Sequence, residues 1–263
     1  MSSRLALGLE YDGSAFSGWQ TQPGGTAVQD AVESALHRFA GNPVGTVCAG
    51  RTDAGVHATY QVIHIDAPVE RPLQAWVRGT NRFLPSAVAI RWARLVPASF
   101  HARFGATARR YDYWILNDPL RAPLASGRAG WVFRPLDEEA MRQAAGLLTG
   151  VHDFSSFRAA ECQADSPVRE LRELSVLRIG RLIRVRAVAN AFLHHMVRNL
   201  VGTLVYVGAG RHAPSWAREI LDVRDRTRAA PTSAAAGLYL THVEYDPALD
   251  LPAADDTPPF AFR

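Results

Sequence analysis

The sequence predicts an α+β protein made of two ferredoxin-like, RRM-like halves. Over the first hundred residues, strand-like and helix-like patterns follow each other in the order β-α-β-β-α-β. A similar succession starts near residue 107, which sets the predicted boundary between the halves near residue 105. We therefore assign residues 1–105 to an N-terminal half and 106–246 to a C-terminal half. An acidic, proline-rich tail that we expect to be loosely ordered follows over residues 247–263.

The elements of the first half follow from apolar periodicity and turn residues. Residues 4–11 have a strand pattern, and a glycine-rich loop containing Phe16 and Trp19 follows. Thr26 and Gln29 have the spacing of a capping box, which predicts that a helix starts there. Its apolar positions recur at helical intervals: Val28, Ala31, Val32, Ala35, Leu36 and Phe39. The remaining predicted elements are strands over 44–48, 59–65 and 87–96 and a helix opened by Pro72.

The second half contains a strand over 107–117 and a helix capped by Asp137 that ends near residue 148. Gly180 and Arg181 connect two alternating segments, which predicts a β-hairpin. The predicted elements that follow are a long helix over 191–207, a short helix starting at Pro214 and a strand over 237–243.

Composition excludes several kinds of chemistry. All 29 basic residues are arginine, so the chain has no lysine for a phosphate-binding loop, a pyridoxal Schiff base or a lysine general base. Hydrophobic residues make up 48% and charged residues 21%, which is typical of a globular protein. No segment approaches the roughly 20 apolar residues of a membrane span. Cys48 and Cys162 are isolated from each other, which favours a reduced, cytoplasmic protein.

Positive charge is concentrated in one part of the chain. Residues 178–228 contain ten arginines against three acids, a local excess of seven, whereas the segment from Glu244 to Asp256 contains five acids and no base. This asymmetry favours a face that attracts a polyanion. Arginines scattered around a helical domain would explain the same count equally well.

Two tempting motifs are weak. Gly208 and Gly210 imitate a dinucleotide-binding fingerprint, but a helical pattern precedes them, so we interpret them as a helix end. His194 and His195 are adjacent, and on a helix their side chains would point about 100° apart, which disfavours a shared metal. We predict no metal site.

The segment Gly50–His57 is a stronger candidate. Asp53 lies between two glycines in a predicted tight turn after a strand, and Arg51 precedes it by two residues. A carboxylate presented this way can act as a nucleophile, a base or a metal ligand. An aspartate that only closes its own turn is the structural alternative.

Two further segments combine cations with aromatic rings or apolar neighbours. On a strand, Arg109 and Tyr111 would share one face with Tyr113, while Arg110 would lie on the other face. A guanidinium beside a phenol suits a phosphate next to a stacked base, although an edge strand with an aromatic ladder would look the same. Arg198 lies in the middle of the long predicted helix, where a buried cation requires a partner.

These segments closely resemble the TruA family of tRNA pseudouridine synthases. The resemblance covers roughly residues 5–245, and its most specific block is Gly-Arg-Thr-Asp-Ala-Gly-Val-His at Gly50–His57. The other matching segments are Tyr11-Asp-Gly-Ser, Gly18-Trp-Gln, Phe100-His-Ala-Arg-Phe, Arg109-Arg-Tyr-Asp-Tyr, Asn190–Asn199 and Gly237-Leu-Tyr-Leu.

The resemblance implies an isomerase that converts uridine to pseudouridine in tRNA without a cofactor. It implies that Asp53 is the catalytic aspartate, that Arg51 enters the base stack, that Tyr111 packs against the target base and that Arg198 is the basic partner of the aspartate. It also implies action on uridines 38, 39 and 40 of the anticodon stem-loop, a homodimer, and two halves joined in one mixed, mainly antiparallel sheet with flanking helices. Arg109 and Arg110 are candidate RNA contacts.

Two positions depart from what the family would lead us to expect. Tyr60 is larger and Asp112 more acidic than expected, which leaves substrate detail open but not the reaction.

The competing hypothesis is a non-catalytic tRNA-binding or chaperone protein on the same scaffold. Asp53 distinguishes the two, because pure binding gives no reason to place an anion against phosphates. A metal- or nucleotide-dependent enzyme is disfavoured by the missing ligand clusters and the missing lysine.

Overall fold

The computed structural model describes residues 3–256 and contains ten strands and five α-helices over that range. The elements in chain order are β1 (Ser3–Tyr11), α1 (Val28–Ala40), β2 (Val47–Cys48), β3 (His57–Ala67), α2 (Leu73–Asn81), β4 (Val88–Leu95), β5 (Ala108–Asn117), β6 (Gly130–Val132), α3 (Glu138–Gly146), β7 (Gly150–Asp153), β8 (Val168–Ile179), β9 (Leu182–Ala189), α4 (Met196–Gly208), α5 (Trp216–Val223) and β10 (Leu238–Glu244). The predicted α+β class is confirmed.

The chain forms two compact units. The first contains the residues up to Thr107 and those from Tyr239 onwards, and the second contains Ala108–Leu238. We predicted one boundary near residue 105, but the chain returns to the first unit through its last strand. That return is made by backbone pairing, since Tyr239 and Leu240 of β10 pair in parallel with β3.

The strand order in the first unit is β4-β1-β3-β10, and β1 is antiparallel to both of its neighbours. β2 pairs with β3 at its other end, with Cys48 opposite Ile63. Apolar side chains that are almost completely buried form the core: Leu7, Leu9, Leu36, Ile63, Ile65 and Trp76. Burial of each such side chain contributes about 1.5–3 kcal/mol, so this core holds β3 and the turn that precedes it in place.

The start of α1 corrects a detail of the predicted capping box. The cap is Ala27 and not Thr26, because the Asp30 carboxylate accepts the Ala27 N–H at 3.0 Å. Thr26 instead donates from its hydroxyl to Ser17 at 3.0 Å. The helix ends at Gly41, whose φ of +76° is the left-handed conformation that glycine adopts without strain.

The strand order in the second unit is β5-β9-β8-β7, all antiparallel, and β6 adds to β5 in parallel. Asp137 caps α3 as predicted, by accepting the Ala140 N–H at 3.1 Å. The short strands β6 and β7 were not predicted. α4 ends at Gly208, and Gly210 follows with a φ of +69°, as expected for a helix end.

The start of the long helix was predicted about five residues too early. α4 begins at Met196, because His195 adopts a left-handed φ of +62° and cannot belong to the helix. His194 and His195 therefore lie on the turn before α4 and not on a helix face, and their rings lie 4.0 Å apart. The helical spacing of about 100° per residue, from which we argued against a shared metal, therefore does not apply to these two histidines.

The described part of the C-terminal tail belongs to the first unit and contacts β3. A 3-10 turn spans Pro247–Leu249, and the Tyr60 hydroxyl donates to the Pro252 carbonyl. This contact explains the unexpectedly large residue at position 60. The rest of the tail, residues 257–263, lies outside the described residues. Within residues 3–256, no helix has the length and apolar character needed to cross a membrane.

Candidate active site

Asp53 lies on the turn that connects β2 to β3. The turn is closed by its backbone, since the Val56 N–H donates to the Asp53 carbonyl at 3.1 Å, and Gly55 adopts a φ of +76°. Asp53 is half-buried and Arg51 is exposed. The predicted tight turn is therefore present, and it presents an acid and a cation two residues apart.

The turn is braced on both sides by hydrogen bonds. The Thr52 carbonyl accepts the Trp19 N–H at 2.9 Å, and the Thr52 hydroxyl lies 2.8 Å from the buried Tyr11 hydroxyl. On the other side, the Gln61 amide donates to the Gly50 carbonyl at 2.7 Å. Because each bond ends on a residue adjacent to or near Asp53, together they fix the direction of its backbone. Sequence reasoning did not identify Tyr11, Thr52 and Gln61 as supporting residues.

Two glycines allow the glycine-rich loop after β1 to approach this turn closely. A Cβ at Gly13 would overlap the Val56 carbonyl oxygen. A Cβ at Gly18 would lie 2.8 Å from the Thr52 carbonyl oxygen, and Gly18 also has a φ of +94°. The two loops therefore pack backbone against backbone, which only glycine permits at these positions.

We expect Gly18→Ala to destabilise the protein and to slow its reaction, because the new methyl group pushes on the Thr52 carbonyl beside Asp53. Gly24→Ala is the matched control, since Gly24 also has a positive φ of +109° but a Cβ there meets nothing within 4 Å. Backbone strain costs about 1–2 kcal/mol at each site, and the overlap adds about 1–3 kcal/mol at Gly18 only. Urea unfolding and single-turnover rates measure both effects. Equal losses in the two variants would show that Gly18 does not support the turn.

The environment beside the turn is electropositive. Burial raises the pKa of the Cys48 thiol to about 11, while the charges of Arg51 and Arg103 act in the opposite direction. Both guanidinium groups are therefore within electrostatic range of Cys48. A thiol with a pKa this high is not a nucleophile near neutral pH, so Cys48 is a packing residue.

In the second unit, β5 positions the predicted base-packing tyrosine. Tyr111 is buried, and its ring meets Phe192 edge-on at 5.2 Å with an interplanar angle of 88°. Arg109, two residues earlier on the same face, donates to the Asn190 carbonyl at 3.0 Å. Arg110 is half-buried on the opposite face.

Arg198 lies in the first turn of α4 and holds the segment before β10. Its Nε donates to the Ser233 carbonyl at 2.8 Å, and the Ser233 N–H donates back to the Arg198 carbonyl at 3.2 Å. The Tyr113 hydroxyl donates to the next carbonyl, that of Ala234, at 2.9 Å. Burial raises the pKa of Tyr113 to about 12, against the opposing charge of Arg198. The structure thus brings Arg198 close to Tyr113, which we had placed on the same strand face as Tyr111 but had not predicted as a residue of the site.

Asn199, the next residue of α4, also makes hydrogen bonds to the segment before β10. The Asn199 amide donates to the Phe157 carbonyl at 2.7 Å, and its oxygen accepts from Thr232 at 2.7 Å and from Arg226 at 3.1 Å. Arg226 also donates to the Ala230 carbonyl at 2.8 Å, and burial lowers the pKa of Arg226. The only sequence signal for this network was a buried-type asparagine beside an arginine in an apolar helix.

A buried ion pair explains the unexpected acid at position 112. Asp112 on β5 faces Arg186 on β9, and the Nε and terminal nitrogen of Arg186 donate to its two carboxylate oxygens at 2.8 and 3.0 Å. The side chains are only 7% and 11% exposed. Asp112 is therefore a structural residue of the sheet and gives no information on the substrate.

We expect Asp112→Asn to lower the free energy of unfolding by about 3–5 kcal/mol, because it leaves the Arg186 charge buried without its carboxylate. The double variant Asp112→Leu/Arg186→Met should recover much of that loss, since it removes both charges. Asp222→Asn is the control, because its pair with Arg218 is exposed and worth under about 1 kcal/mol. Urea unfolding would contradict this account if Asp112→Asn and Asp222→Asn cost the same.

The chain is similar to known proteins over most of its length. A family model described as tRNA pseudouridine synthase matches residues 9–105 and 144–246. Similar curated proteins, each named tRNA pseudouridine synthase A, include one from Methylibium petroleiphilum that is 57% identical over 98% of both chains. One from Dechloromonas aromatica is 56% identical over 96% of this chain and 97% of its own length, and one from Herminiimonas arsenicoxydans is 53% identical over 97% and 94%. The chain belongs to the tRNA pseudouridine synthase family.

Proposed function

We propose that this protein isomerises uridine to pseudouridine at positions 38, 39 and 40 of the tRNA anticodon stem-loop, with Asp53 as the nucleophile and no cofactor. The observation that supports this most directly is the half-buried carboxylate on a braced turn beside the exposed Arg51. Enzymes of this kind need a nucleophile held rigidly where a substrate atom can reach it. The family membership of the chain supports the reaction class.

The reaction requires the target base to leave the helical stack. Extrusion of a paired base costs a few kcal/mol, and a guanidinium inserted into the vacated position offsets part of that cost. We assign this role to Arg51, because its side chain is exposed and only Ala49 and Gly50 separate it from the end of strand β2. Tyr111, fixed by its edge-on contact with Phe192, is our candidate for the aromatic wall of the base.

The chemical steps balance without an external reactant. The N-glycosidic bond of uridine breaks, the uracil rotates, and a carbon–carbon bond forms between C5 and the ribose. N1 gains a proton and C5 loses one, so the product is an isomer of the substrate. On the ground of the family resemblance, we assign to Arg198 the positive charge that favours the ionised carboxylate during these steps.

Affinity for tRNA is assigned to phosphate contacts. Arg109 and Arg110 on β5 and the arginine-rich segment 178–228 supply the positive charge, which predicts salt-dependent binding. Several of these arginines already have acid partners, Arg186 among them, so only part of the local charge is available to RNA. In keeping with the family resemblance, we also propose a cytoplasmic homodimer.

Mapping of pseudouridine in unmodified tRNA tests the proposal. After incubation with the protein in the presence of a metal chelator, carbodiimide-dependent reverse-transcription stops are expected only at positions 38–40. A stem-loop in which these uridines are replaced by cytidine is the matched substrate control. Retention of tRNA without new stops would instead support the non-catalytic binding hypothesis, and stops that depend on added metal would exclude the cofactor-free reaction.

A further inference from the structure

Phe104 is an aromatic residue that the fold leaves in solvent. It is 77% exposed, more than Leu95 at 64% and Val47 at 37%, the other exposed large apolar residues among the described residues of the first unit. It belongs to the segment Phe100–Gly105 between β4 and β5, which contains none of the residues of the proposed reaction. Packing in the core therefore does not explain an aromatic ring at position 104.

The ring of Phe104 rests on a rigid support. It stacks on the His101 ring with centroids 4.5 Å apart and planes 30° apart. His101 is itself fixed, because its Nδ1 accepts the backbone N–H groups of Arg103 at 3.2 Å and of Phe104 at 3.1 Å. Arg103 lies over the Phe104 ring, with its guanidinium carbon 5.5 Å from the centroid. A histidine ring and a guanidinium group therefore contact Phe104, and most of the residue remains exposed to solvent.

The support is tied to the sheet of the first unit from three directions. The Ala102 N–H donates to His64 on β3 at 3.1 Å, and the Ala102 carbonyl accepts the Tyr245 hydroxyl at 2.6 Å. Arg4 on β1 donates to the Phe100 carbonyl at 3.0 Å. These bonds leave the backbone of the segment little freedom, so the exposed ring is held in one place.

The segment of Phe104 and the turn of Asp53 are both anchored to the same stretch of β3. His64 is the partner of Val47 in the pairing of β2 with β3, and the turn leaves β2 three residues later, at Gly50. Gln61, which binds the Gly50 carbonyl, precedes His64 by three residues, about 10 Å along β3. Arg103 and Arg51 both act electrostatically on Cys48, which agrees with their lying on the same side of the unit.

We propose that Phe104 and Arg103 form a nucleobase-binding site for an unpaired nucleotide that flanks the target uridine. Bases stack on exposed aromatic rings whatever their identity, and a neighbouring guanidinium adds cation–π attraction and a phosphate contact. The site rests on the proposed function, because the ligand is a nucleotide of the same RNA. It gives affinity without choosing a sequence, which suits an enzyme that acts at several neighbouring positions.

Binding of the anticodon stem-loop to Phe104→Ala tests the proposal. Loss of one stacked base is expected to weaken binding roughly 5- to 150-fold, measured by fluorescence anisotropy, while the single-turnover rate at saturating RNA stays within about threefold. Phe104→Trp should retain affinity. Phe133→Ala is the matched control, because Phe133 is 56% exposed with Arg134 over its ring at 5.6 Å, and it should bind normally.

Abasic substitutions in the RNA identify the base. Placed one at a time around the target uridine, an abasic nucleotide at the contacting position should weaken binding to the wild-type protein and have no further effect on Phe104→Ala. Normal binding by Phe104→Ala, or equal losses in Phe104→Ala and Phe133→Ala, would overturn the site. Failure of the proposed function would look different, since wild-type protein would then form no pseudouridine although the binding data kept their dependence on Phe104.

Discussion

Asp53→Asn is expected to reduce pseudouridine formation at least about a thousandfold while changing tRNA affinity by less than about threefold. An amide has the shape of the carboxylate, but it is neither anionic nor nucleophilic. The turn should survive, because it is braced by backbone hydrogen bonds, by the Tyr11 hydroxyl on Thr52 and by the Gln61 amide on the Gly50 carbonyl. A variant that folds and binds but does not react shows that the carboxylate takes part in the chemical steps.

Tritium release from tRNA labelled at C5 of uridine measures this effect over several orders of magnitude. Asp222→Asn makes the same chemical change at an exposed position and should react normally. Thermal unfolding of both variants shows whether the fold is kept. Activity of Asp53→Asn within tenfold of wild type would exclude Asp53 as the nucleophile, even if the protein remains a pseudouridine synthase.

The fold was predictable where neighbouring residues determine the structure. Asp137 caps α3 and Gly180 turns the hairpin of β8 and β9 as expected, because the geometry of each depends on two or three adjacent positions. The start of α4 was not predictable in the same way. An apolar period runs back through Leu193, but the left-handed backbone of His195 interrupts the helix, and no periodicity reports a single φ angle.

In the candidate site too, the parts determined by neighbouring residues were predicted, and those determined by distant residues were not. The turn of Asp53 was predicted because Gly50–His57 contains both the acid and the glycine that lets the chain reverse. The surroundings of Arg198 were not predicted, since Ser233, which accepts its hydrogen bond, follows it by 35 positions, and Tyr113, whose pKa it influences, precedes it by 85. Asp112 was misjudged for the same reason, because the strand pairing that supplies its partner is nonlocal.

Arg198→Ala is expected to slow the single-turnover reaction about 100- to 1000-fold, the effect of removing one well-placed charge from a transition state. Binding of tRNA should weaken by less than about fivefold. Arg198→Lys should recover only part of the rate, because lysine keeps the charge but has no Nε to donate to the Ser233 carbonyl. Rates at saturating tRNA, with affinities from anisotropy, separate the two effects.

The opposite pattern is expected for Arg228→Ala, which removes an exposed arginine of the same basic segment. It should lower affinity or the salt dependence of binding and leave the saturated rate unchanged.

Added methylguanidinium should partly restore the rate of Arg198→Ala, since a free cation can occupy the space of the missing group. Absence of rescue would count against a role for the guanidinium group itself. Equal losses of rate and affinity in Arg198→Ala would make Arg198 a binding residue and would exclude it from the chemical steps.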